Sequence, residues 1–249
     1  MASSQRRLPS PVRGWGKVWA AVSWCGRCSA PSTTVTQQAH RRRPWNPDDY
    51  AGRVPEMVAA AKWMCTTVPY QLVTGRVVLP WALQGLRPAG HALEIGAGSG
   101  AMAAQLLGRY PALTLVATDY DPGMVAHARK TLSTFGGRAT VKQADAAKLV
   151  FEDDQFDLVL SFAMLHHVGN WPGAVREALR VLRPGGHFVG YDALEAPLVR
   201  LLHCGEGDNV RLMRRGQLEA ELAGLPGTDV QVSNSCSGLV VRFRVTKTS

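Results

Sequence analysis

The chain has 249 residues and a formal net charge of +9, from 28 basic and 19 acidic side chains. That length buries one core of ordinary domain size, and no apolar run approaches the roughly 18 residues that a membrane-spanning helix needs, so no helical span is expected. The basic excess is local: residues 1–47 hold eight Lys and Arg and no acid, which leaves 20 basic against 19 acidic side chains in the rest and argues against a nucleic-acid-binding body.

Residues 1–46 read as a disordered basic leader rich in Ser, Pro and Arg, with no regular apolar period. Val18–Trp24 imitates a signal core, but the run is short and closely flanked by Lys17 and Arg27. Cys25 and Cys28 have redox or half-zinc spacing without a second pair, and the plain reading is a chance pair. Five cysteines in no framework suit a reducing compartment, and the expected location is cytoplasmic. Cys65, Cys204 and Cys236 are expected as small core or pocket-lining residues.

Residues 47–90 read as a helical cap. Asp48 and Asp49 offer an N-cap, and Val54, Met57, Val58 and Ala61 share a helix face. A second helix is expected over 72–86, kinked or broken at Pro80. Trp63, Tyr70 and Trp81 either face a substrate or staple these helices to the core.

From residue 91 the pattern alternates strand and helix, which predicts an α/β domain over 91–249. His91–Ile95 is a strand carrying Glu94 near its end, followed by Gly96, Gly98 and Gly100 and a helix over Ala101–Tyr110. The glycines permit a tight turn and close approach to a ligand, and the helix points free N–H groups at the same crevice. Leu113–Ala117 is a second strand leading to Asp119, 19 residues after Gly100, where an acid accepts ribose hydroxyls. Ala139–Gln143 leads to Asp145, and Phe156–Phe162 is a nearly continuous apolar strand of the kind covered on both faces. Asp153 and Asp154 before it read as a solvated turn. A helix over Pro172–Leu182 ends at Pro184-Gly185-Gly186, then come a strand over His187–Tyr191, helices over Leu198–Leu202 and Gln217–Leu225, and strands over Val230–Val232 and Leu239–Val245.

These pieces together resemble the class I S-adenosylmethionine-dependent methyltransferases, in particular the small-molecule group that includes ubiquinone and menaquinone biosynthesis enzymes. The resemblance covers about Leu93–Asp192 and rests on Leu-Glu-Ile-Gly-Ala-Gly-Ser-Gly (93–100), Thr-Asp-Tyr-Asp-Pro-Gly-Met (118–124), Gln-Ala-Asp-Ala (143–146), Phe-Asp-Leu-Val-Leu-Ser (156–161), Leu-His-His-Val (165–168) and Arg-Val-Leu-Arg-Pro-Gly-Gly (180–186). It implies a Rossmann-like doubly wound, mostly parallel seven-stranded sheet with an antiparallel last strand and an N-terminal helical cap. The implied cofactor is S-adenosyl-L-methionine, with Glu94 at its methionine end, Asp119 at the ribose and Asp145 at the adenine. Many relatives carry Asp where this chain has Glu94. The cofactor-binding set implied is Glu94, Gly96, Ala97, Gly98, Gly100, Asp119, Tyr120, Met124, Asp145, Ala146, Ser161 and Phe162.

The implied reaction moves a methyl group from a sulfonium to an O, C or N nucleophile of a small-molecule acceptor by in-line displacement. His166 and His167 lie just past the fourth strand, and one of them is the candidate base for an acceptor that must lose a proton, with His203 and Tyr191 as weaker candidates. The same pair also reads as a structural loop element. No clustered Asp/His set is visible, so no metal ligand is expected. Ser161-Phe162-Ala163-Met164 stands where amino-group methylases of adenine or glutamine carry a Pro-Pro-aromatic turn, and no Pro-Cys pair serves attack on cytosine, so nucleic acid is not the expected substrate. Two rival readings stay open. A nicotinamide-dependent oxidoreductase fits less well, because the glycines are spaced Gly-x-Gly-x-Gly, an acid precedes them inside the strand, and no tyrosine has a lysine four residues on. The other is a cofactor-binding module without catalysis.

Overall fold

A computed structural model describes residues 73–203 and 210–249. The leader, most of the cap with Trp63 and Tyr70, and Cys25, Cys28, Cys65 and Cys204 lie outside the described residues.

The description begins with a π-helical turn, Thr74–Val78, that passes directly into α1 (Leu79–Leu83). Pro80 sits in the first turn of α1, where a missing N–H costs nothing, so the expected interruption becomes a change of helix type. Trp81 packs edge-on against Tyr191 with centroids 5.5 Å apart, under the Arg242 guanidinium at 5.0 Å, and its carbonyl accepts from Arg242 at 3.0 Å. It staples α1 to the sheet.

The alternating segments then form β1 (Gly90–Ile95), α2 (Ala101–Arg109), β2 (Leu113–Asp119), α3 (Pro122–Leu132), β3 (Ala139–Gln143), β4 (Phe156–Phe162), α4 (Trp171–Val181), β5 (Leu182–Ala193), α5 (Pro197–Leu202), α6 (Gln217–Ala223), β6 (Thr228–Ser235) and β7 (Val240–Lys247). They give one seven-stranded sheet in the order β3-β2-β1-β4-β5-β7-β6. Strands β1 to β5 pair in parallel, and β7 pairs antiparallel with both β5 and β6, so the last strand is the reversed one.

Both faces are covered, as the apolar runs require. On one face Ala92, Leu113, Leu115, Leu158 and Leu160 pack with Leu106 and Leu107 of α2 and with Leu79 and Leu83 of α1. On the other, Leu93, Ile95, Val159, Phe188 and Phe243 pack with Val175 and Leu179 of α4 and Leu218 and Leu222 of α6. Adjacent residues of one strand thus serve opposite layers. All five parallel strands end at one edge, and the strand order reverses between β1 and β4, where crevices of doubly wound sheets form.

Three expectations change. The helix α3 has no counterpart in the periodicity, although Asp121-Pro122 is a start signal: the Asp121 carboxylate caps the Gly123 N–H at 2.7 Å, with Pro122 in the first turn. Strand β5 begins at Leu182, five residues early, because Leu182 pairs with Phe156 before a register shift carries the chain through Pro184-Gly185-Gly186. Cys236 is exposed, in a turn between β6 and β7, and does not belong to the core.

Candidate active site

The turn after β1 holds three glycines with positive φ, doing three different things. At Gly96 (φ +64°) an added Cβ would meet the Met164 side chain at 2.7 Å. At Gly98 (φ +55°) it would meet nothing within 4 Å among the described residues, so this backbone faces open space there. At Gly100 (φ +77°) it would press on Ala128 and Leu132 at 3.2 and 3.3 Å, so this glycine serves the packing of α2 on α3 and not a ligand. The turn is therefore open at its middle glycine.

Asp119, at the tip of β2, reaches back across it. One carboxylate oxygen accepts the Gly98 N–H at 2.8 Å and the other the Asp121 N–H at 2.9 Å. Each oxygen has a further lone pair, so two ribose hydroxyls are compatible with these bonds. Burial raises the Asp119 pKa, and the Asp121 and Gly98 N–H groups oppose that rise.

Glu94 is 2% exposed, and its Oε2 has no hydrogen-bond partner among the described residues. Its pKa is pushed up to about 8, by burial first and then by the negative charge of Asp119. On the neighbouring strand, Ser161 pairs with Ile95 and is fully buried, and its Oγ likewise has no partner among the described residues. Buried polar atoms are nearly always satisfied, so the orphaned Glu94 oxygen marks a place built for a polar ligand, while Ser161 lies on the opposite face of the sheet with Ile95. A cofactor carrying an ammonium and a carboxylate fits this donor set and the open Gly98.

The other expected contacts vary. The Ala97 N–H is spent on Thr118 O at 2.8 Å, holding the turn against β2. Tyr120 is 44% exposed, a free-standing ring suited to stacking on a base. Met124 is 1% exposed and belongs to the core. Asp145 is exposed and caps the Ala147 N–H at 2.8 Å in a local turn, while Ala146 packs on the core. The Ala144 N–H bonds Asp119 O at 3.0 Å, which brings this turn beside the β2 tip. Phe162 is buried, its ring 5.8 Å from Tyr191.

Beyond β4, His166 and His167 occupy a short 3-10 turn over Leu165–His167. His166 is buried, and its Nδ1 bonds the carboxylate of Asp192, a fully buried residue on β5. Asp192 also accepts the Leu165 N–H at 2.7 Å and the Ala193 N–H at 2.6 Å, so His166 is held by a fixed anchor. Sequence reading missed Asp192: an acid 26 residues from its partner has no periodic signature. Asp192→Ala orphans two buried N–H groups and releases His166, and should destabilise the domain by about 3–5 kcal/mol. Urea denaturation reads this; a loss under 1 kcal/mol contradicts the anchor role. The His166 and His167 rings lie 4.1 Å apart, and His203 at the end of α5 stands 5.2 Å from His166. Three histidines thus converge here, a gathering that the spacing along the sequence did not show.

An open turn at a topological switch point, a strand-tip acid and a buried carboxyl with an orphaned oxygen are the features of a ligand crevice in a doubly wound sheet. Residues 93–190 match the family model described as "Methyltransferase domain". The chain is 32% identical over 160 residues to a malonyl-[acyl-carrier protein] O-methyltransferase of Geobacter sulfurreducens, covering 60% of this chain and 59% of that protein. It is 36% identical over 112 residues to a ubiquinone/menaquinone biosynthesis C-methyltransferase of Ectopseudomonas mendocina, covering 43% of each. Among solved structures, a [4+2]-cyclase, SpnF, shares the fold with a TM-score of 0.61 at 18% identity, over 72% of this chain and 83% of that one. The chain thus spans less than two thirds of the curated relatives it matches. Residues 93–190 are similar to methyltransferase domains.

Proposed function

We propose that this chain transfers a methyl group from S-adenosyl-L-methionine to a small-molecule acceptor. The observation that carries this reading is the buried Glu94 carboxyl with an unpartnered oxygen, beside the open Gly98 and the Asp119 carboxylate. The family match and the methyltransferase names of the relatives support it. The cyclase shows that the fold alone does not dictate the reaction.

S-adenosyl-L-methionine, when bound, supplies an electrophilic methyl on a positively charged sulfur. Glu94 holds the ammonium, Asp119 accepts from the ribose hydroxyls, and Tyr120 with the Asp145 turn receives the base. Phe162 and Tyr191 form an aromatic wall past the β4 tip that excludes water, which favours a step in which charge is neutralised. An acceptor that must lose a proton does so beside the histidine group, where Asp192 holds His166. Alignment of the two reactants supplies most of the acceleration.

Isothermal titration of the full chain with S-adenosyl-L-methionine should give one site, and labelled cofactor with cell extract should mark a low-molecular-mass product. Tight binding with no transfer to any small molecule overturns the catalytic reading, and binding of a nicotinamide nucleotide in its place overturns both. Asp119→Ala removes two charge-assisted hydrogen bonds of about 1.5–3 kcal/mol each, so its affinity should fall at least ~100-fold. An unchanged dissociation constant removes Asp119 from the site.

A further inference from the structure

The three histidines gathered past β4 and β5 come from two separate stretches of chain, and one ring nitrogen of each lies within 4.8 Å of the other two. Two of the rings are oriented by hydrogen bonds: His166 bonds Asp192 through Nδ1, and His203 donates Nδ1 to the Val199 carbonyl at 2.8 Å. A ring held through one nitrogen by a carboxylate or carbonyl is characteristic of metal-binding imidazoles, where the outer partner fixes tautomer and direction. Here the outer partner is itself pinned, because Asp192 accepts the Leu165 and Ala193 N–H groups.

We propose that His166, His167 and His203 form a binding site for one divalent transition ion of the zinc class, with a fourth position open to water or to the acceptor's oxygen. Three neutral imidazoles with no carboxylate among the ligating atoms select zinc, cobalt, nickel or copper over magnesium and calcium. Three protein ligands with one open position make a catalytic type of site and not a closed structural one. A tetrahedral ion about 2.0–2.1 Å from each nitrogen sets them about 3.4 Å apart, so the group closes by up to about 1.4 Å on binding. The role of the ion rests on the methyltransferase reading: a coordinated acceptor hydroxyl gives up its proton to solvent more readily, becoming the nucleophile. The binding of the ion does not rest on it.

The test is cobalt(II) titration of the untagged 249-residue chain stripped with a chelator. Wild type should take up one equivalent with the visible absorption of a low-coordinate imidazole site, and zinc(II) should displace it. His203→Ala and His167→Gln should abolish that absorption, while His127→Ala, exposed on α3, should keep it. Asp192→Asn, checked for retained circular dichroism, should weaken affinity by about 10–100-fold. No cobalt uptake by wild type, or equal uptake by His203→Ala, overturns the site. Calorimetry with S-adenosyl-L-methionine on the stripped protein separates the two proposals: cofactor binding without cobalt uptake overturns the ion site alone, and cobalt uptake without cofactor binding overturns the cofactor reading alone.

Discussion

Gly98→Val leaves the domain folded and abolishes S-adenosyl-L-methionine binding, whereas Gly100→Val, two residues on, damages the fold. Both glycines have φ near the left-handed region, +55° and +77°, where a side chain costs about 1–2 kcal/mol. That is a fraction of the roughly 5–15 kcal/mol stability of a domain. What separates the two is space. A Cβ at Gly98 meets nothing among the described residues, and the Val methyls project into the crevice a ligand would occupy. At Gly100 the Cβ already touches the Ala128 backbone and Leu132, and the methyls beyond it drive α2 away from α3, adding overpacking of about 1–3 kcal/mol. Thermal denaturation should rank the variants as wild type, Gly98→Val, then Gly100→Val, while calorimetry with the cofactor gives no heat for Gly98→Val. Wild-type binding by Gly98→Val contradicts the assignment.

The second large effect is on protons. In the folded chain Glu94 titrates at about 8, against 4.5 for an ordinary glutamate. Between these values the folded state keeps a proton that the unfolded chain releases. Stability contributed by this group is therefore fully present below about pH 4.5 and lost as pH rises toward 8, with a slope of up to about 1.4 kcal/mol per pH unit. Glu94→Gln removes the slope, so the difference between wild type and variant should grow across that window. An ammonium brought against the carboxyl reverses the preference and ionises it. Cofactor binding near neutral pH should then release protons, seen as a dependence of the calorimetric heat on the buffer's ionisation enthalpy that Glu94→Gln loses. Equal heats in all buffers for wild type contradict this placement of Glu94.

What could be read from the chain beforehand, and what could not, follows the range of the interactions. The parallel strands β1, β2 and β4 are apolar runs with an acid or glycine at their ends, and both signals are local. The Gly-Ala-Gly-Ser-Gly turn was visible for the same reason, but the division of labour within it was not. Gly96 answers to Met164 and Gly100 to Ala128, partners 68 and 28 residues away. Helix α3 hid behind a glycine and two small residues that blur its apolar face, although Asp121-Pro122 announced it. The histidine group lay furthest from view, because Asp192 and His203 join His166 only once β4 and β5 are paired and α5 folds back.

The central claim is that Glu94, Gly98 and Asp119 grip one adenosyl ligand at the ends of β1 and β2. A crystal structure of the full chain with S-adenosylhomocysteine tests it most directly. The account predicts ribose hydroxyls within hydrogen-bond distance of the Asp119 carboxylate and the amino-acid portion over Gly98 beside Glu94. A ligand bound in another hollow, or crystals grown at saturating ligand with Glu94 Oε2 still unpartnered, would contradict it.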